Sequence, residues 1–204
     1  VRIPSRTRRG TGWVHAATDV AFSAYRGRVH ALVGESGCGK TTFASAILGM
    51  LPAGTVAGGR LDYVDASGTR TPLTAGRDGA ARAAKLRGRV IGYVPQSPAT
   101  YLTPVRTVGS QLGETVRELG GARNPQDLLA QVNLETQALD AFPHELSGGM
   151  LQRAAIAFAL AGGPDVLLAD EPVSGLDPDL AQLTLGLLRR VADAGAAVVL
   201  ITHD

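Results

Sequence analysis

Eight consecutive residues, Gly34-Glu35-Ser36-Gly37-Cys38-Gly39-Lys40-Thr41, set three glycines, a lysine and a hydroxyl in the spacing G-x-x-x-x-G-K-[ST]. Each residue type answers a need of phosphate binding. Glycines let the backbone curl until successive N–H groups converge, and they leave no side chain in the way. A helix starting near Lys40 adds the positive end of its dipole, with Thr41 and Thr42 in its first turn. Lys40 can reach β- and γ-phosphates as a mobile cation, and the Thr41 hydroxyl can ligate Mg²⁺. The chain has twenty Lys and Arg, of which only Lys40 and Lys85 are lysine, so a lysine at this position stands out. Cys38 is read as a small residue at a variable position of the loop. A redox-sensing thiol is the alternative.

A second group follows an apolar run. Val166-Leu167-Leu168-Ala169 leads into Asp170 and Glu171. A carboxylate at a strand's end, Asp170, can hold Mg²⁺ through water. The next residue, Glu171, points differently and can orient and deprotonate an attacking water. Two acids after an apolar run are weak evidence alone. Beside a phosphate cradle in the same chain they become a candidate hydrolytic pair.

These groups need strands and helices to hold them. Val29 to Val33 (VHALV) stops at Gly34 and is predicted to be a buried strand leading into the cradle. Thr41 to Leu51 has helical periodicity and meets Pro52. Arg60 to Val64, Val90 to Val94 and Ala197 to Ile201 read as further strands. Asp78 to Leu86, Gly148 to Leu160 and Pro178 to Ala194 read as helices, with Pro178 suited to a first turn. From Thr107 to about Leu139 the pattern is helical, with loop signals at Gly120-Gly121 and Asn124-Pro125. Strands alternating with helices predict an α/β fold with a largely parallel sheet.

Composition sets bounds. Apolar residues make up 45% of 204 residues and charged residues 19%, which supports a packed core. A formal net charge of +2 gives no case for nucleic acid. Arg2, Arg6, Arg8 and Arg9 read as a solvated edge or frayed terminus. With a single cysteine, no disulfide closes within the chain and no zinc site follows from Cys spacing. No apolar run approaches a membrane span and no secretory leader is visible, so the expectation is an intracellular soluble chain. The sequence stops at Asp204, soon after a buried strand, and is expected to be a C-terminally truncated piece of a longer protein.

Leu146-Ser147-Gly148-Gly149-Met150-Leu151-Gln152-Arg153 is similar to the signature LSGGQxQR of ATP-binding cassette (ABC) ATPases, with Met150 in place of the usual Gln. Its logic repeats the first cradle: Ser147, Gly148 and Gly149 at a helix N-terminus form a second anion site. Further matches lie in the family's order. Gln96 resembles the Q-loop glutamine, which senses Mg²⁺ and the water. Ser174-Gly175-Leu176-Asp177 resembles the D-loop, which crosses the dimer interface. His203 matches the switch histidine that contacts the γ-phosphate. The resemblance implies a P-loop NTPase (RecA-like) core with an antiparallel β edge and an inserted α-helical subdomain, at about residues 97–146 of a nucleotide-binding domain spanning 1–204. It implies ATP and Mg²⁺ as ligands, with Thr41, Gln96 and Asp170 on the metal side. Two subunits would pack head to tail, each signature closing the other's nucleotide. An upstream aromatic should stack on adenine. Trp13 is the candidate and Tyr25 the runner-up.

Gln96 to Pro104 (QSPATYLTP) resembles the QDPxxSLNP stretch of dipeptide, oligopeptide and nickel importer subunits, as do Gly58-Gly59-Arg60-Leu61 and Phe142 to Leu146. This implies an ATPase at the cytoplasmic face of a membrane, attached through transmembrane permease subunits. A second ATPase subunit, identical or different, and an external substrate-binding protein complete the expected assembly. The alternatives are a soluble ABC ATPase without a transporter and a non-catalytic regulatory subunit.

Overall fold

The structure is a computed structural model and describes residues 1–7, 10–73 and 76–203. Arg8, Arg9 and Asp204 lie outside the described residues. The chain divides into two compact units, Val1–Ser23 with Val33–Arg87 and His203–Asp204, and Ala24–Leu32 with Gly88–Thr202.

The first unit opens with an antiparallel hairpin of β1 (Arg2–Thr7) and β2 (Gly10–His15). Arg2 exchanges backbone hydrogen bonds with Val56 (2.8 and 2.9 Å), tying the hairpin to the loop after the first helix. The basic terminus is thus a paired strand as far as Thr7, which excludes a frayed end for Arg2 to Thr7 and leaves the reading of a solvated edge open. Its arginines mask the strand pattern, since they belong equally to an exposed strand and a solvated tail. Helix α1 (Lys40–Ile47) follows the glycine-rich loop. Just past its end, Gly49 with a φ of +65° turns the chain. A Cβ on Gly49 would lie 2.9–3.0 Å from Ala83 and Ala80, so only glycine lets the end of α1 approach α2 (Gly76–Leu86) this closely. Between these helices, β4 (Asp62–Val64) and β5 (Arg70–Pro72) form a second antiparallel hairpin. The Asp65 carboxylate shapes its turn by accepting from the N–H groups of Ser67 and Thr69 and from the Ser67 hydroxyl.

The second unit is built on a four-stranded sheet. Strand β3 (Val29–Val33) lies at one end, followed in space by β8 (Ala197–Thr202), β7 (Val166–Asp170) and β6 (Ile91–Val94) at the other. β6, β7 and β8 are parallel neighbours. Strands β7 and β8 are almost wholly buried, as their unbroken apolar runs require. β3 is not: Ala31 and Val33 are exposed, whereas β6 at the other end of the sheet is mostly buried. An apolar run does not distinguish a central strand from an outer one.

Residues 97–146 hold a 3₁₀ turn at Pro98–Thr100, α3 (Val108–Glu118), α4 (Pro125–Gln131) and two more 3₁₀ turns. Thr107 and Asn124 cap α3 and α4 through their side chains, and Pro125 sits where a missing N–H costs nothing. Helix α5 (Gly148–Leu160) then leads to β7, and α6 (Pro178–Asp193) to β8. One core joins these pieces: Leu112 from α3, Leu128 and Leu129 from α4, Ile156 from α5, Leu167 from β7, and Leu187 and Leu188 from α6. Each contributes about 1.5–3 kcal/mol relative to exposure. Gly92 of β6 permits a close approach to α5, since a Cβ there would sit 2.4 Å from the carbonyl oxygen of Ala159.

Candidate functional site

In the first unit the loop from Gly34 to Gly39 wraps around its own lysine. The buried Lys40 ammonium donates to the carbonyls of Gly34 (2.6 Å) and Glu35 (2.8 Å). Gly37 (φ +81°) and Gly39 (φ +97°) take left-handed conformations that curl the loop. Gly39 also passes against the backbone of Ala16, where a Cβ would meet the Ala16 oxygen at 1.7 Å. A Cβ on Gly34 would crowd the Cys38 sulfur at 2.8 Å. Helix α1 begins directly after this loop. Its N-cap, Gly39, has no side chain to cap the first N–H groups and no acid stands in its first turn, so the donors of Lys40, Thr41 and Thr42 are suited to an anion. A loop that narrows around an ammonium, with an uncapped helix end beside it, fits a phosphate chain.

Trp13 belongs to the same unit as this loop, as does His203, while Tyr25 belongs to the other. Trp13 is 49% exposed, and the Arg2 guanidinium lies 5.7 Å from its ring centroid. Tyr25 leans on His30 (centroids 5.8 Å apart), and its N–H donates to His30 Nε2. Cys38 is exposed, with its sulfur 3.9 Å from Lys40 Nζ.

In the second unit Asp170 ends β7 and is fully buried. The Tyr93 hydroxyl donates to Asp170 Oδ2 at 3.4 Å. Burial, then the charge of Asp170 and the neighbouring Tyr101, push the Tyr93 phenol well above its ordinary range, so it stays protonated. Glu171 follows with φ +49°, a left-handed conformation unfavourable for a long side chain. Such strain costs about 1–3 kcal/mol and persists where the surroundings over-determine it. Here the Glu171 N–H donates to Ile201 of β8 (2.9 Å), and its carbonyl accepts from Ser174 (3.1 Å). Gln96 is exposed, in the bend between β6 and the Pro98–Thr100 turn.

Ser147 caps α5: its hydroxyl accepts from Met150 N–H at 3.3 Å. The next two glycines differ. Gly149 is buried, and a Cβ there would meet Leu180 of α6 at 2.8 Å, so packing within the chain accounts for it. Gly148 is exposed with open space where a Cβ would be, so nothing among the described residues requires a glycine there. Asp177 caps α6 by accepting from Leu180 N–H at 3.0 Å.

A family model described as "ABC transporter" matches residues 17–174. The chain belongs to the ABC transporter family. Among curated relatives of this ABC chain, the dipeptide transport ATP-binding protein DppD of Bacillus subtilis is 36% identical over 204 residues, 95% of this chain and 59% of that protein. The oligopeptide transport ATP-binding protein OppD of Mycobacterium tuberculosis is 38% identical over 205 residues, 94% of this chain and 32% of that protein. The chain thus spans about three fifths of one relative and a third of the other. Among solved structures, the dimeric, post-hydrolysis state of the ATP-binding cassette MJ0796 bound to ADP and Pi matches with a TM-score of 0.76 at 27% identity, covering 100% of this chain and 86% of that one. The expected P-loop NTPase fold is therefore the fold of this ABC chain.

Three residues of the ABC chain make contacts that sequence reasoning did not foresee. Arg153, the last residue of the signature, donates to the carbonyls of Gly149 and Asn133, bracing the start of α5 against the loop after α4. Burial holds its pKa below the usual guanidinium value. The buried Gln111 brackets Thr103, accepting from its N–H (2.8 Å) and donating to its carbonyl (3.0 Å), and so holds the loop that follows Gln96. Tyr93 is the third. No local pattern marks it, because its partner Asp170 is 77 residues away.

Proposed function

We propose that this chain is the ATP-hydrolysing part of a subunit that powers an ABC importer of peptides or chemically related cargo. The observation that carries the reading is the cradle around Lys40: an ammonium already held by two loop carbonyls, two left-handed glycines, and an uncapped helix start. The names of the relatives, dipeptide and oligopeptide transport ATP-binding proteins, support the cargo class.

Each residue then has a role. Lys40 exchanges its bonds to Gly34 and Glu35 for the β- and γ-phosphates of ATP, while the N–H groups at the start of α1 receive phosphate oxygens. Trp13 stacks on adenine. Thr41 and Asp170, with Gln96, would hold Mg²⁺; among the described residues no three His, Cys, Asp or Glu form a cage, and magnesium bound against phosphates needs only one or two carboxylates. Bound there, the ion would neutralise charge on the phosphates. Glu171 orients the attacking water and takes its proton, its strained backbone setting where the carboxylate leaves the strand. His203 contacts the γ-phosphate.

Ser147 and Gly148, exposed at the start of α5, face the nucleotide of a second ATPase subunit, with Gly149 holding that start in place and Asp177 at the shared interface. Permease subunits and an external binding protein complete the assembly at the cytoplasmic face of the membrane. No described helix is long and apolar enough to cross the membrane itself. The test is the full-length subunit co-expressed with candidate permease subunits. Peptide-stimulated, Mg²⁺-dependent ATP hydrolysis that Glu171→Gln removes is expected. Equal turnover in the two would refute the assignment of Glu171.

A further inference from the structure

We infer that Tyr93 is a positioning residue for Asp170: its hydroxyl fixes the orientation in which the Asp170 carboxylate meets magnesium. The inference rests on the proposed role of Asp170. Tyr93 pairs with Leu168 in the parallel β6–β7 ladder. Side chains alternate along a strand, so Leu168 and Asp170 both share the face of Tyr93. Asp170 is then a diagonal neighbour, within reach of an aromatic or other long side chain. The hydroxyl lies 3.4 Å from Oδ2 and must be the donor, because an ionised carboxylate only accepts.

The chemistry explains why this contact matters. Rotation of a carboxylate about its last torsion is soft, with a broad, roughly two-fold profile. A bond to Oδ2 selects one orientation and leaves Oδ1 for other partners. Asp170 is fully buried at the end of β7, so its orientation is set by protein groups. A hydrophobic residue of similar length at position 93 would fill the same space without orienting anything. Because the contact is long, its effect should fall at the lower end of those seen for groups behind a metal ligand.

The test uses the full-length subunit in its assembled transporter, with Mn²⁺ as the probe, titrated by electron paramagnetic resonance in the presence of ATP. Tyr93→Phe should weaken Mn²⁺ binding by about tenfold. It should leave metal-free ATP binding unchanged, which also reports that the variant is folded. The Mg²⁺ concentration for half-maximal hydrolysis should rise by a similar factor, with the rate at saturating Mg²⁺ recovered. Tyr93→Met should behave likewise. Wild-type Mn²⁺ affinity in Tyr93→Phe overturns the inference, even if Tyr93→Met is impaired, because packing alone would then explain the residue. Asp170→Asn should weaken Mn²⁺ binding, and adding Tyr93→Phe to it should cost nothing more. A further loss in the double variant also overturns the inference. If Asp170→Asn binds Mn²⁺ normally, the reading of Asp170 itself fails. If Asp170→Asn loses Mn²⁺ while Tyr93→Phe does not, only the role of Tyr93 fails.

Discussion

The N–H of Glu171 donates to the carbonyl of Ile201 at 2.9 Å, extending the β7–β8 ladder one residue past the end of β7 and holding Glu171 in a left-handed conformation. A strand that continued regularly would send the side chain at 171 to the face opposite Asp170. The left-handed turn breaks that alternation at the residue proposed as general base. Glu171→Gln keeps the shape of the side chain but removes its basicity. It should lower ATP hydrolysis by about 10²–10⁴-fold while nucleotide binding is kept. Steady-state turnover and equilibrium ATP binding, measured on the same preparation of the full-length protein, check this.

Lys40→Ala should weaken ATP binding by about 10–100-fold, the worth of charge-assisted hydrogen bonds of roughly 1.5–3 kcal/mol. Lys40→Arg should not restore it, because a planar guanidinium cannot replace a compact ammonium between the carbonyls of Gly34 and Glu35. Titration with a fluorescent ATP analogue distinguishes the two expectations from a lysine that merely packs.

Trp13 is the chain's single tryptophan. Stacking of a base on it should change its fluorescence, and Trp13→Ala should weaken ATP binding by an amount matching about 1–3 kcal/mol of base stacking. Tyr25→Ala should leave binding unchanged. The difference spectrum between wild type and Trp13→Phe isolates the signal.

Two glycine substitutions should part stability from assembly. Gly92→Ala places a Cβ 2.4 Å from the Ala159 carbonyl oxygen, a backbone atom that cannot step aside, and should destabilise by about 1–3 kcal/mol or more. Gly148→Ala meets open space and should leave the melting temperature within a degree or two. Yet it should impair ATP-dependent pairing of subunits if, as proposed, its exposed surface faces the second subunit. Thermal melts and size-exclusion chromatography with ATP and Glu171→Gln as background read the two effects separately.

Legibility in the sequence followed locality. The curled loop from Gly34 to Thr41 and the helix after it were readable because every part of the pattern lies within eight residues, and the helix at Gly148–Leu160 because Ser147, the glycines and the apolar run adjoin. The β1–β2 hairpin was not, since Arg2 to Thr7 carries no apolar alternation to mark a strand. Nor was the outer place of β3, which depends on how four distant segments order themselves. The two glycines of the signature look alike in sequence, and only the position of Leu180 gives them different reasons. The contact between Tyr93 and Asp170 belongs to the same class, requiring the register of two strands before it exists at all.

The most direct measurement is a structure of the full-length Glu171→Gln transporter with ATP and magnesium. The account predicts the triphosphate on Lys40 and the start of α1, faced by a glycine-rich helix start from the second subunit, while Ser147 and Gly148 of this chain face the nucleotide of that subunit. A triphosphate bound elsewhere, or one on Lys40 with Ser147 and Gly148 left in solvent, would contradict it.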